Sequence, residues 1–293
     1  MNTLDNTTAV ISGASSGIGC AVAKALAHQG SQVFITGRDV RRLHEAADAI
    51  RATGGLVSSE AFDVRDSNRL QAFVANAAEE TGRLNVMVNA AGLGYMGTIA
   101  EGKPAEWREM FDINVLATLV GSQAAIAAMR RTGSSGHIVT ISSYTGRMEA
   151  SHVYGATKAA VNSICATLRK ELEDEPIRIV NIVPGAVATN FGRNFSPDFV
   201  NAVLTSFGLP AGFRTGDVLR DSTLKALNAR AASLFASPDD IARAVLYAVT
   251  QPDNVNVSEI VIGPRKAFPL ASAASSRKAR HHLSEAPRPS RSR

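Results

Sequence analysis

Tyr154 and Lys158 stand four residues apart in the run Tyr154-Gly155-Ala156-Thr157-Lys158. On a helix that spacing puts two side chains on one face, with Cβ atoms about 5–6 Å apart. A free phenol titrates near about 10. A cation about 6 Å away, at an effective dielectric near 20, is worth about 2.8 kcal/mol. That equals roughly two pKa units. The pair is therefore expected to lower the Tyr154 pKa and let the phenol exchange a proton with an alcohol or carbonyl oxygen. Such pairs also arise by chance on amphipathic helices, so the context must decide.

The context begins at the N-terminus. An apolar run at Thr8–Ser12 leads into Gly13-Ala14-Ser15-Ser16-Gly17-Ile18-Gly19, and a helical pattern follows at once. Glycines let a backbone turn tightly and approach a pyrophosphate closely. A helix N-terminus behind them offers free N–H groups and partial positive charge. Lying after a strand and before a helix gives this turn far more weight than its glycines alone.

The elements that would position these groups alternate along the chain. Strands are expected at Thr8–Ser12, Gln32–Thr36, Val57–Phe62, Leu84–Asn89, His137–Ser142, Ile177–Val183 and Val257–Ile262. They are rich in Val and Ile without clean alternation, as strands buried on both faces should be. Helical stretches lie between them, such as Ala21, Val22, Ala25 and Leu26 before Gly30. The pattern predicts a doubly wound α/β fold, a seven-stranded parallel sheet with helices on both faces. A chain of 293 residues suits one such domain, expected over residues 1–264.

Composition narrows the function. The net charge of +5 resides in the tail: residues 265–293 carry eight Lys/Arg against one Glu, leaving −2 on the rest. A basic folded face, the usual mark of nucleic-acid binding, is absent. The tail is rich in Ser, Ala, Pro and Arg and reads as disordered and solvated. A nucleic-acid or anionic-membrane partner for it stays open. No apolar run approaches the roughly 20 residues of a membrane span. The polar N-terminus carries no secretion-type leader. The two cysteines, Cys20 and Cys165, have no partner at metal-ligand or redox spacing. The chain reads as cytoplasmic.

The G-x-x-x-G-x-G spacing and the Tyr-x-x-x-Lys run together resemble the short-chain dehydrogenase/reductase family, over about Thr7 to Pro264. The resemblance implies a Rossmann-type fold and an NAD(P)(H)-dependent oxidoreductase that interconverts a ketone or aldehyde and an alcohol. Four catalytic positions follow from it: Asn114, Ser143, Tyr154 and Lys158. Ser143 ends the fifth strand, where open α/β sheets place ligands. Ser142 is its alternative. The 11-residue step from Ser143 to Tyr154 is slightly shorter than the family's and predicts a shortened loop at 147–153. Asn114 matches a family helix Asn that holds the Lys through water. Its poor helix propensity agrees with a special role.

The resemblance also implies the cofactor positions. Gly13, Ser15, Ser16, Gly17, Ile18 and Gly19 form the phosphate turn. Asp63 and Val64 would border the adenine. Asn89, Ala90 and Gly92 match the family's Asn-Ala-Gly turn, with Asn89 read as a structural hydrogen-bonder. Pro184, Gly185, Val187 and Thr189 would seat the nicotinamide beside Tyr154 and Lys158. An NAD site places an acid at the end of the second strand. Here Gly37 and Arg38 stand there, and a guanidinium can hold a 2′-phosphate bidentately. NADP(H) is therefore preferred, with NAD(H) possible, since a small shift in register would bring in Asp39. Arg41 and Arg42 are read as a solvated helix face, with a share in the phosphate site as the alternative.

Residues 190–237 hold six of the eleven Phe and are expected to form a substrate lid. Those rings fit either an apolar substrate or the packing of short helices. His152 is read as solvent-facing or packing. No metal is called for. The resemblance implies a homodimer or homotetramer, paired through the helices bearing Asn114 and Tyr154. The alternative function is a noncatalytic NADP(H)-binding sensor or scaffold, whose mark would be loss of the Tyr, Lys or Asn.

Overall fold

The structure, a computed structural model, describes residues 3–149, 151–231, 233–263 and Arg265. The expected tail at 265–293 thus lies almost wholly outside the described residues. Seven strands form one parallel sheet: β1 (Thr8–Ser12), β2 (Gln32–Gly37), β3 (Val57–Ala61), β4 (Val86–Asn89), β5 (Gly136–Ile141), β6 (Ile177–Pro184) and β7 (Glu259–Ile262). Their order is β3-β2-β1-β4-β5-β6-β7. The chain winds outward from β1 to β3, then crosses back to start again at β4. The connections beyond β1 and β4 therefore part in opposite directions and open a crevice at the strands' C-terminal ends.

Helices cover both faces. On one side pack α1 (Gly17–His28), α2 (Val40–Arg51) and α9 (Pro238–Val249); on the other pack α3 (Ser67–Thr81), α5 (Ala117–Thr132) and α6 (His152–Glu171). Strand residues alternate between the two cores. Ile11 joins Val22, Leu26 and Val245, while its neighbour Val10 joins Met87, Phe73 and Met129. Both faces are apolar because both are covered. The edge strands depart from that expectation: β3 is only partly buried and β7 alternates, with Val261 46% exposed.

Helix α4 (Pro104–Phe111) runs through a π-turn at Asp112–Leu116 into α5. The continuous stretch Pro104–Thr132 is long and apolar enough, by composition, to cross a membrane. Here its apolar side packs against the sheet through Met110, Ile113, Ala125 and Met129, which makes it a core helix. Cys20 on α1 and Cys165 on α6 are both free.

Residues 190–237 leave the body after β6 and return beside it, where Val187 bridges to Ala236. They form a short 3-10 turn at Asn190–Asn194 and two helices, α7 (Pro197–Ser206) and α8 (Asp221–Arg230). Val203, Leu204, Leu209, Phe213 and Leu227 give them a small core of their own.

At the far end of the sheet, His137 is 7% exposed and its Nε2 has no hydrogen-bond partner. Burial, and then the charge of Arg178, push its pKa down to about 4. The unfolded chain takes up this proton near about pH 6.5. Between those values the unfolded state binds more protons, so stability falls as the pH falls. His137→Gln is expected to flatten a loss of order 2–3 kcal/mol between about pH 6.5 and 4. Urea unfolding at both ends of that window measures it.

Candidate active site

A cleft of about 470 Å³ opens at the C-terminal ends of the strands. Its middle is the glycine turn. Gly13 takes a φ of +71°, and a Cβ there would stand 2.7 Å from the backbone of Ala91. A Cβ on Gly19 would meet the Gly13 carbonyl oxygen at 2.5 Å. The turn is therefore as tight as glycine allows. Behind it α1 starts at Ser16 with no side-chain cap and no acid in its first turn. Its open N–H groups face a cleft lined by Ser15, Ser16, Gly17, Ile18 and Gly19. A diphosphate fits this cradle, which leaves no room for a Cβ and supplies unpaired donors.

One end of the cleft is cationic. Gly37 follows from contact, because a Cβ there would lie 2.8 Å from Ser15 Oγ. Arg38 lines the cleft with Arg42 and Arg193. Arg38 also lies 3.7 Å from Asp63 and 3.6 Å from Glu109. Asp39 caps α2, accepting from the Arg42 N–H at 3.0 Å. Its carboxylate thereby serves the helix and also lies 3.5 Å from the Arg42 guanidinium. The reading of Arg41 and Arg42 as one solvated face is corrected: Arg41 is 71% exposed, whereas Arg42 is 21% exposed and turned to the cleft. Asp63 does not line the cleft. Arg65 binds its carboxylate at 2.7 Å, and despite burial such bonds hold its pKa below the usual value. Val64 does line it, as do Ala90, Gly92, Pro184, Gly185, Val187 and Thr189. Asn89 turns away and donates to Ser122 Oγ at 3.0 Å, so its part is structural.

The other end holds Ser143, Tyr154 and Lys158. Tyr154 and Lys158 are 6% and 4% exposed. Lys158 Nζ lies 6.0 Å from the centre of the Tyr154 ring and donates to the Ile141 carbonyl at 2.8 Å. The expected drop in the Tyr154 pKa is not found. Burial pushes the phenol up to about 12, against hydrogen bonds with Ser143 and Thr145. Burial also pushes Lys158 down to about 8. Spacing placed the cation correctly, but losing water costs each charged form more than the geometry returns.

Ser143 is fixed as the cap of the 3-10 turn Tyr144–Arg147, where Thr145 Oγ1 donates to it at 2.7 Å. Ser142 also borders the cleft, but it is buried and donates to Asn162 Oδ1 at 2.6 Å. The short loop still brings Ser143 to Tyr154. Gly146 lets it lie on α6, where a Cβ would stand 2.7 Å from the Lys158 backbone. His152 adopts a φ of +60° at the helix start. Its exposed ring bonds the Gly97 carbonyl oxygen at 2.9 Å and does not border the cleft.

Asn114 sits in the π-turn, 1% exposed, and does not border the cleft. Its amide accepts from the Leu93 N–H and donates to the Leu93 carbonyl, both at 2.9 Å, and donates to Thr157 Oγ1 at 3.0 Å. Gly92 lies between it and Lys158: a Cβ there would stand 3.4 Å from Asn114 Oδ1 and 3.8 Å from Lys158 Nζ.

Sequence reasoning singled out neither Arg193 nor Val218 for this cleft; it held Arg42 only as an alternative and Phe191 only as part of the expected lid. The rings of the Phe-rich segment fall into two groups, of which only Phe191 lines the cleft. Phe191, Phe195 and Phe199 step outward from Tyr154 with centroid distances of 5.3, 5.9 and 6.1 Å. Phe207, Phe213 and Phe235 pack the segment's own core. Among the described residues no cluster of His, Cys, Asp and Glu could hold a metal ion.

This arrangement is that of a nicotinamide-dependent oxidoreductase, and the chain belongs to the short-chain dehydrogenase family, whose profile residues 7–199 match. An uncharacterized oxidoreductase of Staphylococcus saprophyticus is 34% identical over 264 residues, 89% of this chain and 98% of the relative. A metagenomic short-chain oxidoreductase solved with NADP aligns at a TM-score of 0.69 and 29% identity, covering 89% and 98% of the two chains. An alcohol dehydrogenase from the archaeon Thermococcus sibiricus, solved with 5-hydroxy-NADP, aligns at 0.71 and 28%, covering 90% and 98%.

Proposed function

We propose that this oxidoreductase reduces a ketone or aldehyde to an alcohol with NADPH, or runs the reverse with NADP, using Tyr154 as the acid or base. One observation carries the reading. A single cleft joins a buried phenol, with Ser143 beside it on the lining, to an uncapped helix N-terminus and then to a rim of arginines. The bound nicotinamide supplies or accepts the hydride and, when oxidised, brings a positive charge to the site. Ser15 to Gly19 would hold the diphosphate, Arg38 and Arg42 would face the 2′-phosphate, and Pro184 to Thr189 would flank the nicotinamide. Ser143 and Tyr154 grip the substrate oxygen. With its pKa near 12, Tyr154 stays protonated at neutral pH and is ready to donate to a carbonyl oxygen as it gains charge. Lys158 favours the phenolate that remains, and Asn114 fixes Leu93 and Thr157 around it.

Residues 190–237 act as the lid, and the rings leading from Tyr154 favour a bulky apolar substrate. The test is a panel of ketones and aldehydes with NADPH and NADH in parallel, followed by loss of reduced-nicotinamide absorbance. Consumption of NADPH with an apolar carbonyl supports the reading. No nucleotide binding to the folded protein overturns it.

A second copy is expected on the α4–α5 side, where Phe111, Leu116 and Leu119 are 43%, 47% and 40% exposed beside the Asn114 turn. Leu116→Glu with Leu119→Lys should halve the particle mass in light scattering. An unchanged mass would place the interface elsewhere.

A further inference from the structure

We infer that Arg193, carried by the lid, is a third phosphate-binding arginine that grips the 2′-phosphate of the cofactor from the side opposite Arg38 and Arg42. The inference rests on the proposed nicotinamide-binding function and adds a residue that closes the site.

Three observations support it. First, Arg193 lines the same cleft as Arg38 and Arg42 although it comes from a distant part of the chain. Second, their counter-charges differ. Arg38 has Asp63 and Glu109 within 4 Å, and Arg42 has Asp39. Arg193 has no carboxylate within 4 Å among the described residues, and its side chain makes one long bond, to the Asn190 carbonyl at 3.4 Å. It is half-buried, and burial together with the charges of Arg38 and Arg42 lowers its pKa. Of the three guanidiniums Arg193 alone lacks a carboxylate within 4 Å among the described residues, so an anion entering the cleft would compensate it first. Third, the path of the chain places Arg193 over the correct end. Thr189 lies against the phosphate turn, 3.3 Å from where a Gly17 Cβ would stand. From there the 3-10 turn Asn190–Asn194 continues, and the charges Arg193 feels are those of Arg38 and Arg42, opposed by Tyr95 and by Glu109, which itself lies 3.6 Å from Arg38.

The same turn carries Phe191, whose ring lies 5.3 Å from that of Tyr154. A phosphate held by Arg193 on the lid and by Arg38 and Arg42 on the body would therefore fasten the turn that covers the phenol. Discrimination between NADP and NAD then extends to lid closure.

The experiment compares NADPH, NADH, adenosine 2′,5′-bisphosphate and AMP by calorimetry on the wild type, Arg193→Met and Arg193→Lys. Met keeps the aliphatic packing of the side chain, and thermal unfolding confirms the fold of each variant. Arg193→Met should weaken NADPH and the bisphosphate by about ten- to a hundredfold, the worth of a charge-assisted bond. NADH and AMP should change by less than about twofold, and Arg193→Lys should recover part of the loss. In hydrogen exchange, the bisphosphate should slow residues 190–206 in the wild type and not in Arg193→Met. Equal weakening of NADPH and NADH would assign Arg193 to the diphosphate and overturn the inference, as would no weakening of either. A wild type that binds neither dinucleotide would instead bring down the proposed function itself.

Discussion

Tyr154→Phe is expected to bind NADPH as tightly as the wild type and to reduce its carbonyl substrate about 10²–10⁴-fold more slowly, the usual range for losing a positioned proton donor. The ring is what packs: Phe keeps the tilted ring pair with Phe191 and the place beside Gly94, where a Cβ would stand 3.3 Å from the ring. The phenol oxygen is what carries the proton, and the Ser143 and Thr145 hydroxyls act on it against burial. The substitution therefore removes the proton and leaves the cleft's shape. Single-turnover measurements with bound NADPH separate the two, since the nucleotide should remain bound while its oxidation stalls. Turnover within about threefold of the wild type would show that another group supplies the proton.

Lys158→Met is expected to make the protein more stable and nearly inactive. Lys158 is a buried cation with no carboxylate partner among the described residues; its one hydrogen bond runs to the Ile141 carbonyl. Its folded pKa of about 8 lies below the usual 10.5. Between those values the unfolded chain binds more protons, so wild-type stability rises with pH across that window. Below about pH 8 the full cost of the buried charge applies. Met removes that cost and leaves one carbonyl without its donor, for a net gain of about 1–2 kcal/mol at pH 7. The gain should fade toward about pH 10.5, and urea unfolding at several pH values follows it. Destabilisation at neutral pH would mean that the charge is satisfied in the fold. Catalysis should fall at least about a hundredfold, because the phenolate formed on proton donation loses its nearby cation.

These two residues also show what the sequence could and could not reveal. The Tyr-Lys spacing gave their shared face and the phenol's place at the end of the sheet, because a helical repeat is local. The direction of the pKa shifts was not legible, since it depends on how much water other parts of the chain remove. The strands were readable for a similar reason. Runs such as Thr8–Ser12 stay apolar on successive residues because helices cover both faces, and the bounds shifted by at most two residues. The edge strands β3 and β7 read the same way although only partly buried, since exposure depends on whether a neighbour follows.

The glycine turn was legible because steric demand leaves only Gly at positions 13 and 19. Arg42 was not, as its direction depends on where Asp39 starts α2. Arg193 and Phe191 reach the cleft from the 3-10 turn Asn190–Asn194 that follows β6, and no local pattern records which way that turn faces. Asn114 was found by its motif, yet the π-turn that presents it and its grip on Leu93 appear only in the fold.

The most direct test of the central claim is the fate of the hydride. NADPH carrying deuterium on the transferring face of the nicotinamide C4 would be given to the wild type with its best carbonyl substrate, and the alcohol examined by mass spectrometry and NMR. Stoichiometric deuterium on the carbinol carbon is the predicted result. NADPH oxidation that leaves the alcohol carbon unlabelled by either C4 isomer would contradict it.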